Sequence, residues 1–283
     1  MQVIKDWASG RVPFKADLPF ALSDIAKPVA LDGSGTGHHI TLIETGENSG
    51  FAGGVNRGLA YLAKDPAIDR FWVLNPDCAV PPGTPAKLAA HQGDFSLMGN
   101  RIIIQDDPDK IQLDGGLINW ATGVTFNLNT LQNPATTPAP SPTAMQFISG
   151  ASMVASRKFY ESVGPMREDY FLYYEEVDWA LRRNAPLAWA ADAPVYHKGG
   201  ASIGSRTMRQ RASAVSLYFI HRARLKFLWR FRKSGLIGGI AYSLAKAAQF
   251  LAARDPKGAV ALLRGTFQMS APRAVRQKIG QEP

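Results

Sequence analysis

FLYYEEVDWALR, residues 171–182, places three carboxylates within four positions among large aromatic side chains. On a helix, Glu175 and Asp178 share one face because they are three residues apart, whereas Glu176 points elsewhere. One carboxylate could therefore enter a cleft while the others cap the helix or pair with cations. Taken alone, the stretch is better explained as a solvated acidic helix start, since acidic side chains favour the positive end of a helix. Four further motifs change that balance: NSGFAGGVN at 48–56, LNPDC at 74–78, SGASM at 149–153 and YHKGGAS at 196–202.

The composition is that of a folded protein with an ample core. The 283 residues suffice for one large domain with an appendage, or for two small domains. Apolar residues make up 46% of the chain and charged residues 19%, which excludes a disordered polymer. Cys78 is the single cysteine, so an internal disulfide and a zinc-thiolate cluster are excluded, and a reducing compartment is favoured. We find no secretory signal and no run of roughly 20 apolar residues that could span a bilayer.

Charge divides the chain into two parts. Residues 206–283 contain 16 Lys and Arg against two acids, Asp255 and Glu282, for a net charge of +14. Residues 1–205 contain the other 16 cations against 21 acids, for a net charge of −5. We therefore expect a catalytic or binding domain over 1–205 and a basic helical extension over 206–283 that docks to something anionic.

Strand and helix patterns in the first part indicate an α/β fold. HITLIET (39–45) alternates and is predicted as a strand, and GFAGGVNRGLAYLAK (50–64) as a glycine-rich loop that enters a helix. FWVLNPDCAV (71–80) is predicted as an apolar strand stopped by proline, which leaves Asp77 at its C-terminal edge. SLMGNRIII (96–104) and LAWAADAPVYH (187–197) are predicted as further strands, the last ending at His197. Ligands bind at this edge of open α/β sheets.

An aspartate and a histidine at two strand ends suit a divalent cation that handles a diphosphate. Such cations take hard oxygen ligands and sometimes one imidazole. From the residues alone, a ligand role is about as expected as a purely structural one. Asp77 would then be a turn residue, and His197 a loop residue without a ligand role. NSGFAGGVN lacks both GxGxxG spacing and the lysine of a Walker motif, so by itself it predicts a turn.

The basic extension contains one long helical pattern, RQRASAVSLYFIHRARLKFLWRFRKSG (209–235). Its cations lie on one side, and the other side offers Leu217, Phe219, Ile220, Phe227, Leu228 and Phe231. This distribution is typical of an interfacial helix on an anionic membrane surface. Nucleic acid binding is not expected, because the cations alternate with aromatic and aliphatic residues and no base-reading module is present.

In chain order, NxGFAGGxNRGL (48–59), LNPD, SGASM, FLYYEEVDWALR and YHKGGAS resemble glycosyltransferase family 2. The similarity is greatest to the bacterial rhamnosyltransferase-like members, and it runs from about Ile40 to Ser202. It implies a GT-A fold, which is a Rossmann-like α/β sandwich that binds a nucleotide-diphosphate sugar and a divalent metal, Mg²⁺ or Mn²⁺. Family members begin with strands that grip the nucleobase, and roughly one βαβ unit of about 30 residues or more is expected to be absent before His39.

The resemblance also implies roles for single residues. LNPD stands where the family has its DxD-type motif, so Asp77 would contact metal and diphosphate, with His197 completing the metal site. Glu176 falls at the position of the catalytic base, with Glu175 beside it, although the family more often has Glu-Asp there. Gly150 and Ala151 match a small-residue turn that lets the acceptor approach. The implied donor-binding residues are Asn48, Gly50, Phe51, Asn56, Asn75 and Asp77.

The function implied by the resemblance is inverting, metal-dependent sugar transfer to a polysaccharide or lipid-linked glycan. The enzyme would be cytoplasmic and peripheral to the inner face of the cell membrane, and rhamnose is one possible sugar by analogy. The alternative is a degenerate, non-catalytic glycan-binding or scaffold protein that uses the same cleft. Metal-dependent affinity for a nucleotide sugar distinguishes the two.

Overall fold

The computed structural model of the chain describes residues 41–198 and 212–280. The strands are β1 Arg70–Leu74, β2 Cys78–Ala79, β3 Leu97–Ile104, β4 Ile111–Leu113, β5 Gly116–Ile118, β6 Thr125–Asn127, β7 Ser152–Ser156 and β8 Leu187–His197. The helices are α1 Gly50–Leu62, α2 Thr84–Ala90, α3 Arg157–Val163, α4 Glu175–Leu181, α5 Ala214–Phe231, α6 Leu236–Ala252, α7 Pro256–Thr266 and α8 Arg273–Lys278. Short 3₁₀ turns span Pro142–Ala144, Glu168–Tyr170 and Lys233–Gly235.

The centre of the α/β fold is a mixed six-stranded sheet in the order β1-β7-β3-β8-β2, with β4 paired to β3. β3 and β8 run parallel, whereas β7 is antiparallel to both β1 and β3. β3 is buried along nearly its whole length, which explains its continuous apolar sequence. β5 and β6 form a separate two-stranded ribbon. The chain is thus an α/β protein with its core on both faces of one sheet.

Most of the predicted elements between 50 and 197 are present. β1 ends before Asn75 and Pro76, as the proline predicts, and β8 ends at His197. α1 begins at Gly50 and buries Ala52 and Leu59 against the sheet. The short strands β4, β5 and β6 were not predicted, because three residues carry too little pattern to be recognised.

The predicted strand HITLIET is wrong for its described residues, 41–45, which form no strand. Alternating apolar residues allow a segment to form a strand. The strand also needs a neighbouring strand with free backbone N–H and C=O groups to hydrogen-bond with it. Among the described residues β1 is an edge strand that pairs with β7 alone. Ile43 is 39% exposed as a result. The expectations for residues 1–40 and 199–211 lie outside the described residues.

The interpretation of α5 as an interfacial helix is wrong, because protein covers its apolar side. Phe227 and Leu228 are fully buried in the main core beside Ala223 and Leu225. Leu217 and Phe219 lie in a second cluster that includes residues of α7 and α8. A core helix and an interfacial helix share one sequence pattern, so the pattern alone does not distinguish them. Over the described residues, no helix combines the length and hydropathy needed to cross a membrane.

Candidate active site

Strand pairing brings Asp77 and His197 together. The short strand β2 is antiparallel to the end of β8, with Cys78 opposite His197. The N–H of Lys198 donates to the carbonyl oxygen of Asp77 at 3.0 Å. His197 Nε2 consequently lies 3.1 Å from Asp77 Oδ1. Two residues 120 positions apart in sequence thus share one edge of the sheet.

A third side chain orients the histidine. Gln112, on β4, lies with its Oε1 at 2.9 Å from His197 Nδ1. When that oxygen accepts the Nδ1 hydrogen, the Nε2 lone pair of a neutral imidazole is directed toward Asp77. A lone pair and a carboxylate oxygen at 3.1 Å repel each other unless a proton or a cation lies between them. Metal-binding histidines are usually held in this way through their second nitrogen.

The donor set fits a divalent cation. The ligand atoms of Asp77, Cys78 and His197 all lie within 4.8 Å of one another. Burial, and then the charge of Asp77, raises the pKa of the Cys78 thiol to about 12, and this thiol donates to the carbonyl oxygen of Ala151 at 3.4 Å. The hard donors are therefore Asp77 and His197, a set that suits Mg²⁺ or Mn²⁺ with further oxygens supplied by substrate or water.

The acidic helix α4 follows a strained aromatic turn. Phe171, Tyr173 and Tyr174 have φ angles of 68°, 70° and 70°, which are costly for residues with a side chain. Tyr173 Oη donates to Ser216 Oγ on α5 at 3.0 Å, and Tyr174 Oη donates to the carbonyl oxygen of Gly123 at 2.6 Å. These two hydrogen bonds offset part of the cost of the positive φ angles and so stabilise the turn.

Two further contacts hold Phe171 in this turn. Its ring stacks on Phe219 of α5 at 4.7 Å between centroids. Its carbonyl oxygen accepts from the N–H of Phe51 at 2.9 Å. Gly50 makes that approach possible, because a Cβ there would lie 2.1 Å from the same oxygen and the residue has a φ of +80°.

Asp178 has a structural role in α4. Its Oδ1 accepts from Arg182 Nε at 2.8 Å, which is the pair expected from the spacing of four residues. Arg167 Nε lies 3.3 Å from the same oxygen, and Tyr170 Oη donates to Oδ2 at 2.9 Å. Asp178 is fully buried and satisfied, so it anchors the helix and does not line the cavity.

Glu175 is also fully buried, but its carboxyl is not satisfied. Neither of its oxygens has a hydrogen-bond partner among the described residues. Burial, and then the charge of Glu176, raises the pKa of the Glu175 carboxyl well above its usual range. Glu176 is more exposed, and burial raises the pKa of its carboxyl as well. The two adjacent acids thus favour the protonated form more than free glutamates do.

One cavity of about 360 Å³ connects the two clusters. It is lined by Phe51, Asn75, Pro76, Asp77, Gln112, Leu113, Ser149, Gly150, Ala151, Leu172, Tyr173, Glu175, Glu176 and His197. Six of the predicted site residues, together with the Gly150–Ala151 turn, therefore lie around one space. A Cβ on Gly150 would be 3.0 Å from the Phe51 ring and 3.8 Å from Glu176 Cβ, so the glycine keeps the cavity open between them.

Three predicted donor-binding residues lie outside that lining. Asn48 Nδ2 donates to the carbonyl oxygen of Ile279 at 3.0 Å. Asn56 is buried, and it exchanges two hydrogen bonds with the backbone of Met166, at 2.9 and 3.0 Å. Gly50 contacts the turn at Phe171. These contacts stabilise the segments around the cavity, so the three residues of NSGFAGGVN have structural roles here.

Gln112 and Tyr173 are two of the lining residues that sequence reasoning missed. Gln112 lies in the three-residue strand β4, and nothing in IQL indicates that its amide meets a histidine 85 residues later. Tyr173 could have been found, because it stands inside the acidic motif two residues before Glu175. A tyrosine this close to the candidate catalytic acids indicates that its side chain lines the same cavity.

Comparison with known proteins gives one distant similarity. No family model matches the chain. Over 180 residues the chain is 24% identical to the low-salt glycan biosynthesis hexosyltransferase Agl10 of Haloferax volcanii. The alignment covers 57% of this chain and 54% of that protein, so the chain spans about half the length of this curated relative.

Proposed function

We propose that this chain transfers a sugar from a nucleotide-diphosphate donor to a glycan or lipid-linked acceptor. The observation that carries the proposal is one cavity lined by an Asp–His pair and by two adjacent glutamates, of which Glu175 has no hydrogen-bond partner for its carboxyl among the described residues. The similarity to a hexosyltransferase supports the same reaction class. The finer assignment is a GT-A enzyme of glycosyltransferase family 2, similar to the rhamnosyltransferase-like members, and it rests on the order of the five motifs.

Asp77 and His197 form the donor side of the proposed mechanism. Bound there, Mg²⁺ or Mn²⁺ would act as a Lewis acid that offsets the charge on the diphosphate oxygens. Gln112 fixes the ring of His197 through Nδ1, and the backbone of Lys198 fixes Asp77. Asn75 and Phe51 also line the cavity, and they complete the donor-binding set that we propose.

Glu176 is the proposed general base. It would take the proton from the acceptor hydroxyl while that oxygen attacks the anomeric carbon from the face opposite the departing diphosphate. A carboxyl whose pKa is raised by burial is better matched to proton transfer near neutral pH than a free glutamate. Gly150 leaves space beside Glu176 Cβ, and the acceptor would enter there.

Glu175 has a different proposed role. A buried carboxyl that holds its proton is a hydrogen-bond donor as well as an acceptor. Both of its carboxyl oxygens are buried and have no hydrogen-bond partner among the described residues, and the residue borders the cavity, so we propose that Glu175 binds a hydroxyl of the transferred sugar. The strained turn at 171–174 holds both glutamates in place for these tasks.

Calorimetric titration with UDP and dTDP, each with and without Mn²⁺, tests the proposal. We expect binding that requires Mn²⁺ and that falls at least tenfold in Asp77→Asn, since one metal ligand is lost. Glu176→Gln should keep this affinity and lose transfer by about 10²-fold or more. Asp107→Asn is the matched control, because Asp107 pairs with Lys110 outside the cavity. Binding of glycans without any Mn²⁺-dependent nucleotide affinity would instead support the non-catalytic alternative.

A further inference from the structure

The outer face of α6 is an apolar stripe open to solvent. It consists of Ile237, Ala241, Leu244, Ala248 and Leu251, which recur at the three- and four-residue spacing of one helix face. Ile237 is 82% exposed, Leu244 48% and Leu251 54%. The opposite face of α6 buries Gly239, Ser243 and Ala247 within the protein. Along 15 residues from 237 to 251, at about 1.5 Å each, the stripe is roughly 20 Å long.

No charged residue interrupts this outer stripe, although cations surround its two ends. Arg232 and Lys233 are exposed before α6, and Arg254 and Lys257 are exposed after it. Trp229 is 60% exposed and lies under the ammonium of Lys233, with 4.8 Å from Nζ to the ring centroid. An exposed tryptophan beside cations is typical of a surface that is apolar on one side and wet on the other.

The acids of this region do not balance those cations. Asp255 is the single acidic residue between 212 and 280. Its Oδ1 accepts from the N–H of Gly258 at 2.9 Å, so it caps α7. The surface around the outer stripe therefore carries a strong excess of positive charge.

Charge decides which occupant this surface fits. If a second copy of the chain covered the stripe, the cationic ends of the two helices would face each other and repel. An anionic bilayer offers an apolar layer for the side chains of the stripe and phosphate groups for the cations at its ends. We propose that the outer stripe of α6 lies on an anionic lipid surface, with Trp229 and the flanking cations at the level of the head groups. This surface is distinct from the apolar side of α5, which the core covers.

Sedimentation with vesicles tests the proposal on the full chain. We expect binding to vesicles of phosphatidylcholine mixed with phosphatidylglycerol to be at least tenfold tighter than binding to phosphatidylcholine alone, since each cation near such a surface contributes a severalfold gain in affinity. The variant Ile237→Gln, Leu244→Gln, Leu251→Gln should lose at least tenfold in that binding. Lys233→Gln with Lys257→Gln should lose the preference for phosphatidylglycerol.

Matched controls separate the outer stripe from general apolar exposure. Phe126→Gln with Leu131→Gln removes two exposed apolar side chains elsewhere on the protein, and binding should stay within about twofold of the original. Circular dichroism checks the fold of each variant, and Leu244→Gln alone replaces the triple variant if that one unfolds. The proposal is wrong if the stripe variants bind vesicles as the original does, or if no vesicle binds. It is also wrong if light scattering shows a dimer that the stripe substitutions dissociate.

Discussion

Glu175 combines complete burial with two carboxyl oxygens that have no partner among the described residues. A buried polar group without a hydrogen bond destabilises the folded state by about 1–3 kcal/mol, and an ionised one by more. Asp178, three residues later and also fully buried, has two arginines and a tyrosine hydroxyl around it. The contrast between these two acids on one helix supports a functional use for Glu175, because packing alone would favour a satisfied or apolar residue there.

We predict that Glu175→Gln raises the free energy of unfolding at neutral pH by roughly 1 kcal/mol or more, because the substitution removes an ionisable group from a buried position. Burial raises the pKa of this carboxyl in the folded state, so the unfolded chain loses its proton first as pH increases. Stability from this group is therefore present below the usual pKa of a glutamate and is lost as pH rises toward the folded-state value. Urea unfolding at about pH 5 and about pH 8 measures the difference, which should be larger at the higher pH.

Glu161→Gln is the control for that measurement, since Glu161 is exposed and paired with Arg157. Its effect should stay below about 1 kcal/mol at both pH values. If Glu175→Gln is destabilising, or if its effect does not depend on pH, then the Glu175 carboxyl has partners that stabilise its charged form.

At the scale of elements, the sequence predicts what each segment can form but not what it pairs with. The ends of β1 and β8 were predictable because a proline follows one and a histidine ends the other. Residues 41–45 have an equally good strand pattern and form no strand, since pairing requires a neighbour that the pattern does not contain. The same reason explains why Asp77 and His197 were recognised as candidates while Gln112 was missed. Its role depends on the register between β3 and β4.

Two glycines in α1, Gly50 and Gly54, are expected to respond oppositely to substitution by alanine, as measured by the stability of the protein. Gly50→Ala should destabilise the protein by about 2 kcal/mol or more, because a Cβ would collide with the Phe171 carbonyl at a positive φ. Gly54→Ala should be neutral or stabilise by up to about 1 kcal/mol, since α1 continues through that position and nothing lies within 4 Å of the added carbon. Thermal unfolding of both variants measures the difference. Equal effects of the two substitutions would show that Gly50 does not lie against the aromatic turn.

At the scale of the whole molecule, the helices after residue 213 are joined to the sheet at the candidate site. Phe219 of α5 stacks on Phe171, and Trp120 stacks on Phe227 with 5.8 Å between centroids. Lys226 and Arg230 of α5 both bind Asp169, two residues before the strained turn. The basic part of the sequence therefore supports the acidic motif through packing and ion pairs. The change of composition near residue 206 did not indicate this contact.

This arrangement predicts that a change on α5 alters sugar transfer without altering donor binding. Ser216→Ala removes the hydrogen-bond acceptor of the Tyr173 hydroxyl. The Tyr173 side chain, which lines the cavity with Glu175 and Glu176, is then held less firmly. We expect kcat to fall roughly tenfold because the glutamates are positioned less well. Affinity for UDP or dTDP with Mn²⁺ should stay within about twofold, since Asp77 and His197 are held by β2 and β8.

Ser234→Ala is the control for Ser216→Ala, because Ser234 is exposed in the 3₁₀ turn that follows α5 and lies outside the cavity lining. Its kcat and its nucleotide affinity should both remain unchanged. Equal losses of kcat and nucleotide affinity in Ser216→Ala would mean that α5 supports the whole cavity without a specific effect on the acidic helix. An unchanged kcat would mean that the Tyr173–Ser216 bond does not position the glutamates. The contacts of the turn with Phe51, Phe219 and the Gly123 carbonyl would then be sufficient to hold it.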